Sequence, residues 1–188
     1  VHVDAVVPKY HSKTLTKLFV GDKTVSKFKV AIFGTCYGEY NDPQSVIDLV
    51  DVLRHNNVEV KLIKNTQCCG MPKMELGDLE TVIKYANENI TPLKKLVEDG
   101  YKLIAPIPSC VLMFKNELPM IISDNEDIKL ISKAFFDPFE YLSFLATQPI
   151  ERILLPDTLG ILTPSETFQF ISEVSFQGKV LSVMIGKK

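Results

Sequence analysis

Phe28-Lys29-Val30-Ala31-Ile32-Phe33 followed by Gly34-Thr35-Cys36-Tyr37-Gly38 is the stretch whose reading decides the fold. A strand-length apolar run ends in a glycine-bounded loop that carries a cysteine. Asn41-Asp42-Pro43 then reads as a helix start, with Asp42 as N-cap and Pro43 at the first helical position. Val46, Ile47, Leu49, Val50 and Leu53 supply the apolar face of that helix, and Asn56-Asn57 closes it. The same order returns twice. Val58–Ile63 alternates as a strand and runs into Gln67-Cys68-Cys69-Gly70. A helical pattern follows from Asp78 to Glu98, with Leu79, Val82, Ile83, Ala86 and Ile90 at helical spacing. Pro92 is expected to kink or split it, and Gly100 to cap its C-terminus. Lys102–Ile107 is the third strand, leading through Pro108-Ser109-Cys110 into a helix from about Val111 to Leu118. Further helices are expected at Asp127–Phe135 and Pro138–Ala146. Strand and helix in strict alternation predict a Rossmann-like three-layer α/β fold, with a parallel sheet and right-handed crossovers. Such sheets bind ligands outside the carboxyl ends of their strands.

Outward from this body, residues 1–27 read as a linker arm leaning on it, with a short helical turn around Thr14 to Phe19. Residues 28–147 form the main domain and 148–188 a C-terminal extension. In the extension Thr163-Pro164-Ser165-Glu166 marks a helix start and Lys179–Ile185 a final strand. The chain opens on Val1 rather than Met, so a cut or upstream natural N-terminus is expected.

The 188 residues are 46% hydrophobic and 23% charged, as in an ordinary soluble globular protein. A net charge of −2 and a pI near 6.0 give no footprint for nucleic acid or an anionic membrane. No apolar stretch reaches the roughly 20 residues a transmembrane helix needs, and the opening residues do not read as a signal-peptide pattern. The cysteines are too few for a secreted disulfide scaffold, so a reduced, cytoplasmic setting is expected.

The four cysteines, Cys36, Cys68, Cys69 and Cys110, each fall just beyond a strand. Their spacing, C-x31-CC-x40-C, gathers soft donors at one edge of the sheet, which predicts a metal or iron–sulfur site. Four-cysteine zinc sites usually draw ligands from C-x2-C knuckles. Adjacent side chains diverge in extended backbone, so Cys68 and Cys69 suit a multi-metal cluster better than a single small ion. A redox-active dithiol without metal is the other option, although the C-x-x-C of thioredoxin-like proteins is absent. Helices beginning near Cys36 and Cys110 would favour thiolates there.

Gln67-Cys68-Cys69-Gly70, with Cys36 upstream and Pro108-Ser109-Cys110 to Pro119 downstream, resembles the CCG or cysteine-rich domain family. That domain occurs in the B subunit of heterodisulfide reductase and, closer in pattern, in the C subunit of anaerobic glycerol-3-phosphate dehydrogenase. Gly77-Asp78, Ala86-Asn87-Glu88-Asn89, Gly100-Tyr101 and Glu140-Tyr141-Leu142 add to the resemblance, as does the arm from His2 to Tyr10. It covers residues 1–147. The resemblance implies an iron–sulfur electron-transfer module, a 4Fe–4S cluster on Cys36, Cys68, Cys69 and Cys110, with zinc as the alternative. It also implies a flavoprotein dehydrogenase subunit and a ferredoxin-type cluster domain as partners. Electrons would pass to another carrier or a membrane quinone, placing the chain in the cytoplasm or at the cytoplasmic face of the membrane. Members often carry two repeats, and the extension from residue 148 can be read as the start of a second. The family motif closes with C-x-x-C, whose first cysteine aligns with Ile107, so a five-cysteine non-cubane cluster is not expected.

The remaining candidates read as structural. His2, His11 and His55 are scattered, and Asp42 and Asp78 are better helix caps than catalytic carboxylates. The Gly34–Gly38 loop lacks both the G-x-G-x-x-G fingerprint and a Walker lysine. Lys73 and Lys115 flank the cysteine loops, and Met71, Met74 and Met113 are expected as core filler around them. No Ser/His/Asp arrangement can be assembled. The competing functional class is a structural zinc domain that docks subunits, and a thiol–disulfide redox protein is the third.

Overall fold

The computed structural model describes residues 10–21, 25–148, 152–157 and 180–185. Its elements run α1 (Leu15–Leu18), β1 (Lys29–Ile32), α2 (Cys36–Tyr40), α3 (Pro43–His55), β2 (Glu59–Leu62), α4 (Met71–Glu75), α5 (Leu79–Glu98) and β3 (Lys102–Ile104). Then come α6 (Pro108–Leu112), a π-helical turn (Met113–Glu117), α7 (Leu118–Ile121), α8 (Glu126–Ala134), β4 (Phe135–Phe136) and α9 (Pro138–Ala146). Two strands close the order, β5 (Arg152–Asp157) and β6 (Val180–Ile185).

The main sheet is parallel throughout, in the order β2-β1-β3-β4. Val30 of β1 stands opposite Val60 on one side and Lys102 on the other. Successive strand residues point to opposite faces, and both faces of β1 are apolar. Val30 and Ile32 pack with Leu15 of α1, Val46, Val50 and Leu53 of α3, and Tyr141 and Leu145 of α9. Ala31 and Phe33 pack with Val82, Ala86 and Leu93 of α5, with Met113 and Phe114 of the π turn, and with Ile128 and Ile131 of α8. The result is the three-layer α/β arrangement expected from the alternation, with a sheet covered on both faces.

Local chemistry sets the helix ends. Asp42 and Asp78 cap α3 and α5 by accepting from the backbone N–H of Ser45 and Thr81, each at 3.2 Å. At the far end of α5, Tyr101 N–H bonds Leu96 O and Gly100 N–H bonds Val97 O, a Schellman closure around a left-handed Gly100.

Four expectations change. α5 is one 20-residue helix that runs through Pro92 unbroken. An interior proline costs about 3 kcal/mol, but Ala86, Asn89 and Leu93 hold both sides of it against the core. Phe135 belongs to β4, not to the end of a helix, because its ring stacks on Phe114 at 4.5 Å and its backbone pairs with Leu103. The third strand stops at Ile104, short of Ile107, and the helix beyond it begins at Pro108 and extends through a π turn to Ile121. The loops after Cys36 and Gly70 are short helices, α2 and α4.

β5 and β6 pair with each other in parallel, from Arg152 opposite Val180 to Asp157 opposite Ile185, as a sheet of their own. The expected final strand is β6, whereas β5 was not anticipated. The helix start at Thr163–Glu166 lies outside the described residues, as does His2. Among the described residues no helix is long and apolar enough to cross a membrane.

The arm is fastened close to the cysteine loops. Leu15 is fully buried, Thr16 donates to the Glu39 carboxylate through its N–H (3.2 Å) and hydroxyl (3.0 Å), and His11 N–H bonds Tyr40 O at 2.7 Å. A Cβ on Gly34 would stand 2.8 Å from Leu15 Cδ2, so glycine there lets the arm seat. Leu15→Ala is expected to cost about 2–5 kcal/mol in urea unfolding. Tyr10→Ala, at an exposed ring on the same arm, should stay within about 0.5 kcal/mol.

Candidate metal centre

The carboxyl ends of β1, β2 and β3 lead straight into the three cysteine loops. Cys36 is the first residue of α2, Cys68 and Cys69 precede α4, and Cys110 lies in the first turn of α6. All four are free thiols. Cys36 is exposed, Cys68 half-buried, and Cys69 and Cys110 buried. They stand near enough to perturb one another in series: Cys36 with Cys68, Cys68 with Cys69, and Cys69 with Cys110. The vicinal pair serves two clefts, Cys68 lining one with Cys36 and Cys69 the other with Cys110.

Two opposing effects act on these thiols. The Cys68 thiol is pushed well above its ordinary range, first by its bond to Cys69 and then by burial. Cys69 is pushed up to about 12, chiefly by its bond to Cys110. Burial, with a smaller contribution from Cys68, raises Cys36. Against this, backbone N–H groups are aimed at the sulfurs: Tyr37 at Cys36, Gly70 at Cys68 and Met71 at Cys69. Those amides hold the site ready for thiolate charge, which a bound cation would draw out.

Two clefts of about 460 Å³ flank the chain of sulfurs. One opens between the β1 and β2 loops, over Cys36 and Cys68, and includes Thr16, Lys64 and Gln67. The other opens between the β1 and β3 loops, over Cys69 and Cys110, with Met71, Pro72 and Ile107 in its wall. Strand order changes direction between β1 and β3, where α/β sheets take their ligands.

Residues 30–115 match the family described as "Cysteine-rich domain". This segment is similar to CCG domains. The chain is similar to the C subunit of anaerobic glycerol-3-phosphate dehydrogenase of Escherichia coli, 28% identical over 128 residues, which is 65% of this chain and 32% of that protein. It is also similar to lactate utilization protein A 1 of Bacillus mycoides, 31% identical over 52% of this chain and 38% of the relative. With lactate utilization protein A of Bacillus thuringiensis the identity is 26%, over 62% and 47%. The chain thus spans less than half the length of each of these relatives. No solved structure matches it.

The donor set offered by Cys36, Cys68, Cys69 and Cys110 is all sulfur, which fits soft thiolate-bound iron. Among the described residues, no three His, Cys, Asp or Glu side chains stand ready to hold a single metal ion. The four thiols come from three loops at one edge of the sheet. Among the described residues the histidines stand apart from the thiols: His11 turns its Nδ1 to the Lys13 backbone, and His55 is an exposed residue ending α3. Lys73 pairs with Asp78 at 3.3 Å and Lys115 with Glu140 at 2.6 Å, so both flanking lysines are engaged. Met71 and Met113 are buried in the core face beneath the site, as expected.

Sequence reasoning passed over Thr35. This β-branched residue has φ 61° and ψ 160°, a strained conformation at the turn into α2. Its hydroxyl accepts from Gly38 N–H at 3.0 Å, capping the helix that begins with Cys36. Gly70, at φ 96°, makes the matching turn after the cysteine pair, and an L side chain there is strained.

Raised thiol pKa values mean that the native metal-free protein binds its protons more tightly than the unfolded chain. Stability is therefore full below about pH 9 and falls as pH rises toward 12. Urea midpoints at about pH 8 and about pH 10.5 should show this loss, and it should shrink in a Cys68→Ser/Cys69→Ser protein. Alkylation of the folded protein should modify Cys36 first and Cys69 and Cys110 last.

Proposed function

We propose that Cys36, Cys68, Cys69 and Cys110 ligate an iron–sulfur cluster, of the 4Fe–4S kind, and that the domain carries electrons within a multi-subunit oxidoreductase. The observation that supports this most is the single run of four thiols along the carboxyl edge, with backbone amides aimed at three of them. The cluster would supply one-electron chemistry, while the protein fixes its ligands, limits water and sets the potential through burial and N–H···S bonds. With Ile107 where the family motif has a further cysteine, four protein thiolates are the complete set.

Similarity to a subunit of anaerobic glycerol-3-phosphate dehydrogenase supports a dehydrogenase subunit as partner, and the family resemblance implies that it is a flavoprotein accompanied by a ferredoxin-type cluster domain. Electrons would leave to another carrier or to a quinone, by peripheral contact at the cytoplasmic face of the membrane. Structural zinc is the second reading. Against it stands the sequence, which lacks the C-x2-C knuckles that four-cysteine zinc sites usually use.

Protein purified without oxygen should contain iron and acid-labile sulfide and absorb broadly in the visible. Stoichiometric zinc in a colourless sample would overturn the proposal. Cys69→Ser should lose most of the iron and the visible absorption while its far-UV circular dichroism is kept. Loss of the fold itself would instead mark a structural metal.

A further inference from the structure

Thr35 and Asn89 are the two buried polar residues among the described ones, and both attach to cysteine loops. Thr35 holds the Cys36 turn from within. Asn89 acts from outside, across the core. It lies on the inward face of α5 with Val82, Ala86 and Leu93, an apolar stripe in which a carboxamide has no packing advantage. Its exposure is 1%. A polar group so buried persists only where it is hydrogen-bonded, and Asn89 directs all its capacity at the segment that precedes α4. Its Oδ1 accepts from Gln67 N–H at 2.8 Å. Its Nδ2 donates to Gln67 O at 3.4 Å and to Cys68 O at 3.3 Å.

These bonds satisfy peptide groups of a loop that has no strand partner at that point. They also fix the backbone at the residue where two adjacent sulfurs must separate. We infer that Asn89 is the positioning residue of the cysteine pair, tying the Gln67–Cys68 backbone to α5 so that Cys68 faces Cys36 while Cys69 faces Cys110. Holding the loop there also keeps the Gly70 and Met71 amides aimed at the two sulfurs. Through the cysteines Asn89 then sets the environment of the centre without touching it. The inference rests on the ligand assignment above, but its first test needs no metal.

In metal-free, folded protein, alkylation of each cysteine is followed by mass spectrometry. Asn89→Leu keeps the volume and removes the three bonds. It should speed modification of Cys68 and Cys69 about tenfold while Cys110 is unchanged, because only the loop opens. Leu53→Ala, which weakens the opposite core face, should not produce this selectivity. Asn89→Asp keeps the acceptor for Gln67 N–H but sets an oxygen against Gln67 O and Cys68 O. It should show the same selective gain if the leucine variant does not fold. Unchanged rates, or equal acceleration of Cys68, Cys69 and Cys110, would reduce Asn89 to a packing residue and overturn the inference.

In iron-loaded protein the variants should also shift the midpoint potential, and a potential equal to wild type would count equally against it. A wild-type protein that takes up no iron would refute the proposed function instead, leaving the alkylation result to decide on Asn89.

Discussion

Burial of β1 on both faces and along both edges is the constraint on which the rest depends. Val30, Ala31 and Ile32 are inaccessible to solvent and Phe33 nearly so. Side chains of this kind contribute about 1.5–3 kcal/mol each on burial, somewhat less for alanine. The strand therefore cannot shift to relieve the loop at its end. Its exit is crowded by Leu15 over Gly34, and the backbone takes an unfavourable turn at Thr35. That turn costs about 1–3 kcal/mol, less than the burial it permits. Strain at the mouth of the site is thus a consequence of the core, and it delivers Cys36 at the start of α2.

The same rigidity explains how three separate loops share one site. β2 and β3 pair in register with β1, so their ends come level and their loops leave in one direction. An aromatic cluster of Phe33, Phe114 and Phe135 fills the space under the β1 and β3 ends, with Phe33 and Phe114 at 5.0 Å and Phe114 and Phe135 at 4.5 Å. Above it the thiols occupy an environment that disfavours charge, while aimed amides favour it. Of the four thiols Cys36 is exposed and Cys69 and Cys110 are buried.

Much of this was legible in the sequence wherever the governing physics is local. Asp42 and Asp78 cap helices because a short acceptor three residues before a free N–H is enough, and Gly100 closes α5 because it tolerates a left-handed backbone. The alternation of strand and helix placed every cysteine at a strand end, since period and length survive without knowledge of neighbours. Pro92 misled because propensity counts only the helix, whereas the core on either side of it decides. Phe135 misled because a two-residue strand has no period to read, and its partner, Leu103, lies far back along the chain.

By itself, then, the sequence determined the parallel α/β class and the gathering of four thiols at one edge, because both follow from patterns carried within short segments. Only the tertiary structure decided the order in which the sulfurs meet, the strain at Thr35 and the reach of Asn89 from α5 to Gln67 and Cys68. These depend on contacts between segments far apart in the chain, which are fixed only when the two faces of β1 are covered and the loops are held against them.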